Sequence, residues 1–155
     1  MQPVIETSHL SKHYGKVKAV EDLSLRVESG EIYAFLGLNG AGKTTTIRML
    51  LGMVNPVTGS IQVLGTQIKP GNKEPWKDVG YLVETPHAYP ELTVRENLEV
   101  SRRLHPGTPI KNIKEIIERL GLSEYADRRS GNLSLGNIQR LGLAKALLHR
   151  PRLLF

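Results

Sequence analysis

A chain of 155 residues with no cysteine and a formal charge of +6 is long enough to bury a core, and it excludes a disulfide scaffold, a Cys-ligated zinc site and thiol chemistry. No stretch approaches the roughly 18 apolar residues of a membrane span, and the opening MQPVIETSHLSKHYG lacks the basic start and apolar run of a signal peptide. Aromatic residues at 5% argue against a protein that stacks nucleic-acid bases.

The charge is uneven. Residues 1–100 carry 10 Lys+Arg against 11 Asp+Glu, a net of −1, whereas residues 101–155 carry 11 against 4, a net of +7. A solvated Arg-rich helical surface explains this as well as a face for an acidic partner, a membrane surface or nucleic acid. Composition does not separate these readings.

Along the chain, Val4, Glu6 and Ser8 alternate with Ile5, Thr7 and His9, and Leu23, Leu25 and Val27 alternate with Ser24, Arg26 and Glu28. This period of two predicts strands. Residues 32–36, Ile-Tyr-Ala-Phe-Leu, form a continuous apolar run that predicts a buried strand. Residues 44–51 read as a helix, residues 57–59 as a turn, 60–64 as a strand and 79–83 as a further apolar strand. After Pro86 the character becomes helical. Thr93 and Glu96 form a capping-box pattern, and residues 110–120 place apolar side chains at 113, 116, 117 and 120 before Gly121. Residues 135–149 predict a third helix, ended by Pro151. Strands first, helices later and a strand–Gly loop–helix unit between them indicate an α/β fold with a helical insertion.

Gly37-Leu38-Asn39-Gly40-Ala41-Gly42-Lys43-Thr44 matches G-x-x-x-x-G-K-[ST]. Each part has a physical reason. Glycines let the main chain curl so that successive N–H groups face one anion, and the following helix adds its N-terminal dipole. Lys43 is expected to reach the β- and γ-phosphates of a nucleotide, and the Thr44 hydroxyl to ligate Mg²⁺. Chance produces such a match in roughly one chain of this size in a few hundred, but here an apolar run precedes it and a helical pattern follows. Tyr14 is a candidate platform for a base, although an aromatic beside glycine more often packs.

Residues 133–140, Leu-Ser-Leu-Gly-Asn-Ile-Gln-Arg, open the third predicted helix, with Asn132 or Ser134 as its N-cap. A Ser hydroxyl, a Gly N–H and a helix N-terminus make a second anion site without a lysine. Taken by itself, the segment reads more readily as a capped amphipathic helix with Leu141, Leu143, Ala144, Leu147 and Leu148 toward a core.

Together the two motifs resemble the ATP-binding subunits of ABC transporters over the whole chain. The resemblance implies an ABC-type P-loop NTPase with an N-terminal antiparallel β region and a helical subdomain. Residues 1–86 would form the nucleotide-binding part, 87–150 the helical subdomain, and 151–155 the start of the Walker B strand. It implies that ATP and Mg²⁺ bind through Gly37, Asn39, Gly40, Ala41, Gly42, Lys43, Thr44 and Thr45, with Tyr14 on the adenine. Ser134, Gly136 and Gln139 would meet the nucleotide of a second subunit in a head-to-tail dimer.

Two departures from the family pattern stand out. Leu135 replaces a signature glycine, and Glu84 stands where the family usually has the Gln of a loop coupling nucleotide to membrane subunits. Glu84 keeps an oxygen for Mg²⁺ or an attacking water, so it is the candidate catalytic and metal residue beside Thr44. Both departures resemble the subgroup that exports peptide antibiotics, as in bacitracin resistance and lantibiotic immunity.

The Walker B Asp-Glu pair and the switch His have no counterpart, and His9, His13, His87, His105 and His149 match no switch position. The sequence therefore reads as an N-terminal fragment, cut before the Walker B residues, that binds ATP weakly and does not hydrolyse it. Expected partners are a second ATP-binding subunit and transmembrane permease subunits, with self-association of the fragment through an open sheet edge. The expected location is the cytoplasmic face of the plasma membrane. No nucleic acid is expected as a partner, and a soluble ABC ATPase acting on nucleic acid is the alternative.

Overall fold

The structure, a computed structural model, describes residues 3–69, 74–84 and 86–155. The chain forms two compact units, Met1–Pro75 and Trp76–Phe155. The sequence places its change of character at residue 86. The contacts divide the chain earlier, because residues 79–80 pair with the end of the chain and not with the first unit.

The first unit is an antiparallel sheet of β1 (Ile5–Tyr14), β2 (Val17–Val27), β3 (Thr58–Val63) and β4 (Thr66–Gln67), in the order β2-β1-β3-β4. The alternation read from the sequence is realised here: Ile5, Thr7, Leu25, Val27, Ile61 and Val63 are buried. Tyr14 pairs with Val17 across a two-residue turn, which sets the hairpin register. Halfway along, the register slips where His9 and Asp22 both adopt positive φ, 49° and 52°. Their side chains meet, Nδ1 to Oδ1 at 2.6 Å, on the exposed side. Helix α1 (Lys43–Leu50) packs on β2 and β3 and buries Thr46, Met49 and Leu50.

Residues 32–36 depart from the expected buried strand. They carry no strand pairing, and Ile32 and Leu36 are 101% and 91% exposed. An extended apolar run becomes a strand only when a neighbour takes its N–H and C=O groups, and none of the described residues does so. Tyr33 and Phe35 still contact edge to face at 5.5 Å.

The second unit joins a short parallel ladder to three helices. Strands β5 (Val79–Gly80) and β6 (Leu153–Leu154) pair in parallel, and Leu82 N–H to the Phe155 carbonyl extends the contact. The strand expected over residues 79–83 is thus shortened to two residues. Helix α2 (Val94–Leu104) begins with the capping box that the sequence predicts: Glu96 N–H donates to Thr93 Oγ1 at 3.2 Å, and Thr93 N–H donates to Glu96 Oε2 at 2.8 Å. Hydrogen bonding of the carboxylate to the Thr93 main chain, then to the Thr93 side chain, holds the Glu96 carboxyl below its ordinary pKa. Helices α3 (Lys111–Arg119) and α4 (Leu135–Leu147) complete the layer. The core is Val94, Leu98, Ile113, Ile116, Ile117, Leu122, Ala126, Leu141, Ala144 and Leu148. Isoleucines 113, 116 and 117 are the helical-period positions of α3, so its predicted face is its buried face.

Candidate functional site

In the first unit, Gly37–Thr45 forms the loop and first turn leading into α1. Gly42 is the N-cap at φ 84°. A Cβ there would stand 2.2 Å from the Ala19 carbonyl oxygen and 3.2 Å from Val20 Cγ2, so the residue is glycine for space as well as for backbone. The loop is tied to itself. Ala41 N–H donates to the Leu38 carbonyl at 3.2 Å, and Lys43 Nζ donates to the carbonyls of Gly37 and Leu38, both at 2.7 Å. Thr46, one turn in, is buried and donates its hydroxyl to the Gly42 carbonyl at 3.0 Å.

The N-terminus of α1 has no side-chain cap and no acidic residue in its first turn. Its N–H groups and the Lys43 ammonium therefore make a donor set with no carboxylate in that turn competing for it, which fits a polyphosphate. Asn39, Gly40, Ala41 and Thr44 are exposed, and Thr45 is half-buried. Tyr14, half-exposed at the hairpin tip, has Lys12 Nζ at 5.2 Å from its ring. It pairs with Val17, two residues before the Ala19 that touches Gly42. Tyr14 and the loop thus belong to the same unit, joined through β2.

Glu84, Ser134, Gly136 and Gln139 belong to the second unit. Ser134 caps α4, its Oγ accepting from Asn137 N–H at 3.3 Å. Leu135, Gly136 and Gln139 are exposed, and a Cβ on Gly136 would meet nothing within 4 Å. Glu84 is exposed with φ 61°, a conformation uncommon outside glycine and often found at functional positions. Its loop sits directly on α4: a Cβ on Gly142 would stand 2.5 Å from Pro86 Cβ and 2.9 Å from Leu82 Cδ1. The structure therefore joins the Glu84 loop to the helix that Ser134 caps.

Four features of this unit lie beyond the motifs read from the sequence. Gly142 reads as an ordinary helix glycine. His105 and His149 stack with ring centroids 4.0 Å apart beside an apolar cavity of about 260 Å³. His105 Nδ1 lies 3.0 Å from the Ser101 carbonyl and His149 Nε2 lies 3.1 Å from that of Val79. Burial, then the His105 charge, lowers the His149 pKa. Lys145 Nζ donates to the His87 carbonyl at 2.6 Å, and burial lowers its pKa. The fourth feature is Asn97, fully buried, and it alone leaves a signal: it is a polar residue among the inward positions 94, 97, 98 and 101 of α2.

A phosphate-type loop opening a helix on an α/β framework defines a P-loop nucleotide-binding protein. The family model described as ABC transporter matches residues 20–155. The chain belongs to the ABC transporter family. It is 46% identical over 155 residues to the bacitracin transport ATP-binding protein BcrA of Bacillus licheniformis, covering 99% of this chain and 50% of that protein. The BcrA of Enterococcus faecalis is 39% identical over 154 residues, with the same two coverages. A solved structure described as an ATP-binding subunit of an ABC transporter superposes with a TM-score of 0.87 at 28% identity, covering 97% of this chain and 64% of that one. The chain thus spans about half the length of the curated relatives it matches. Among the described residues, no helix is long and apolar enough to cross a membrane.

Proposed function

We propose that the chain provides the nucleotide-binding loop and signature helix of an ABC transporter ATP-binding subunit that drives export of a peptide antibiotic of the bacitracin kind. The donor set of Gly37–Thr45, with Lys43 and the uncapped start of α1, carries this reading. The 46% identity to a bacitracin transport protein supports the substrate class. Relatives that are transport proteins by name lend nothing to the nucleic-acid alternative.

In this reading, Lys43 leaves the Gly37 and Leu38 carbonyls for the β- and γ-phosphates of ATP, and the loop N–H groups take the remaining oxygens. Tyr14 stacks on the adenine. Thr44 and Glu84 would hold Mg²⁺, which neutralises charge on the phosphate oxygens. Ser134, Gly136 and Gln139 face the nucleotide held by a second copy, whose Ser134 hydroxyl and α4 dipole supply the same to the first. Two chains close head to tail, and the helical region 87–150 passes that closure to transmembrane permease subunits on the cytoplasmic face of the plasma membrane. The unpaired apolar residues 32–36 add self-association through main-chain pairing.

Equilibrium binding of a fluorescent ATP analogue with Mg²⁺ tests the loop. Weak binding that Lys43→Ala lowers at least tenfold is expected, as for loss of a charge-assisted hydrogen bond. For these 155 residues, binding without turnover is the expected outcome. Robust ATP hydrolysis abolished by Lys43→Ala would overturn the assignment of the chain to binding alone. Binding indifferent to Lys43 would overturn the site.

A further inference from the structure

We propose that Asn97 is a positioning residue for the signature end of α4, acting through Ser130; this rests on the reading of Ser134 and Gly136 as nucleotide-facing. Asn97 is 0% exposed, and its carboxamide is saturated. Its Oδ1 accepts Tyr89 N–H at 2.8 Å. Its Nδ2 lies 3.1 Å from the Tyr89 carbonyl, 3.2 Å from that of Leu92, 3.0 Å from that of Thr93 and 3.3 Å from Ser130 Oγ. One side chain thus gathers the whole 89–93 turn and reaches the chain again 33 residues later. Ser130 answers it: its hydroxyl donates to the Tyr89 carbonyl at 2.6 Å, and its N–H donates to Leu92 at 2.8 Å.

From Ser130 the route to the signature is short and continuous. Gly131 N–H donates to the Pro90 carbonyl at 3.0 Å, Leu133 N–H returns to Ser130 at 3.2 Å, and Ser134 follows as the cap of α4. Upstream, Val94 N–H donates to Arg128 at 3.1 Å and Arg95 N–H to Ala126 at 2.9 Å, so residues 126–131 are zipped along the start of α2. A buried carboxamide that satisfies several main-chain carbonyls has no substitute once removed, because each freed group stays buried without water. At the start of α4, Leu133 packs against the core and Asn137 is buried. Leu135 and Gly136 are exposed, so packing does not fix them. The network therefore sets where Ser134 and the first N–H groups of α4 stand.

The test compares wild type, Asn97→Ala and Ser130→Ala by residue-resolved amide exchange, and by sedimentation with Mg·ATP and with Mg·ADP. In both variants, exchange over residues 130–138 is expected to rise about tenfold while α3 keeps its protection. Association driven by ATP is expected to weaken by about the same factor, with affinity of the single chain for the ATP analogue unchanged. If Asn97→Ala fails to fold, Ser130→Ala decides, since it leaves the other bonds of Asn97 in place. Exchange that stays at wild-type values over 130–138, or that rises equally across α2, α3 and α4, overturns the proposal. Wild-type chain that does not associate with ATP overturns the nucleotide reading of Ser134, and the exchange comparison then judges the positioning separately.

Discussion

The two candidate anion sites are both glycine-bearing helix starts, yet they are built in opposite ways. The loop before α1 is closed: Lys43 bonds its own carbonyls, and Gly42 is pressed on Ala19 with no room for a methyl group. The start of α4 is open: Ser134 caps it, and Gly136 has empty space where a Cβ would be. Glycine at 42 is a requirement of this fold. Glycine at 136 has no described neighbour within 4 Å of where a Cβ would stand. In the proposed function that open space is where the nucleotide of a second copy approaches.

Substitutions put this contrast to the test. The largest effect is expected for Gly42→Ala. The clash with Ala19 and the positive φ together cost about 3 kcal/mol, seen as lost protection of β2 and α1 in amide exchange and as loss of ATP-analogue binding. Gly142→Ala comes next, at about 2 kcal/mol, because Pro86 and Leu82 must retreat. Urea unfolding followed by Trp76, the single tryptophan and part of the second unit, reads it. Gly136→Ala is the contrasting case. The fold should change by no more than about 0.5 kcal/mol, toward stability, since alanine suits a helix better. ATP-driven association should nonetheless fall. A destabilisation by Gly136→Ala as large as that of Gly42→Ala would erase the distinction between the two sites.

The smallest expected effect is a pH dependence of the second unit. Burial and the neighbouring His105 hold the His149 pKa below the ordinary 6.5, with the Val79 carbonyl and then Asp78 pulling the other way. The unfolded imidazole takes its proton near 6.5 and the folded one only at lower pH. Stability is therefore full above that value and is lost as pH falls through the folded pKa. Titration of both rings by NMR, with unfolding followed at neutral pH and near pH 5, checks the sign. A His149→Phe chain that keeps the same slope would assign it elsewhere.

Much of the local structure was legible. The capping box at Thr93, the isoleucine face of α3 and the hairpin alternation depend on residues within a turn or two of one another, and all are realised. The 32–36 run was legible as apolar and extended but not as exposed. Whether such a run is buried depends on a partner strand, and a partner is not a property of the run. The loop residues of the first site were legible because their chemistry is contiguous. The second site was legible only as a motif, and the supports beneath it were not.

Residues close in the chain decide a phosphate-type loop opening a helix, three capped or periodic helices and the alternation of two strands. Tertiary structure alone decided that Gly42 meets Ala19, that Gly142 seats the Glu84 loop, that His105 stacks on His149 and that Asn97 reaches Ser130. The reason is physical. Helix caps and periodicity are paid in hydrogen bonds and burial among residues close in the chain. These four contacts join residues 23 to 60 positions apart, and their geometry exists only once the elements have packed.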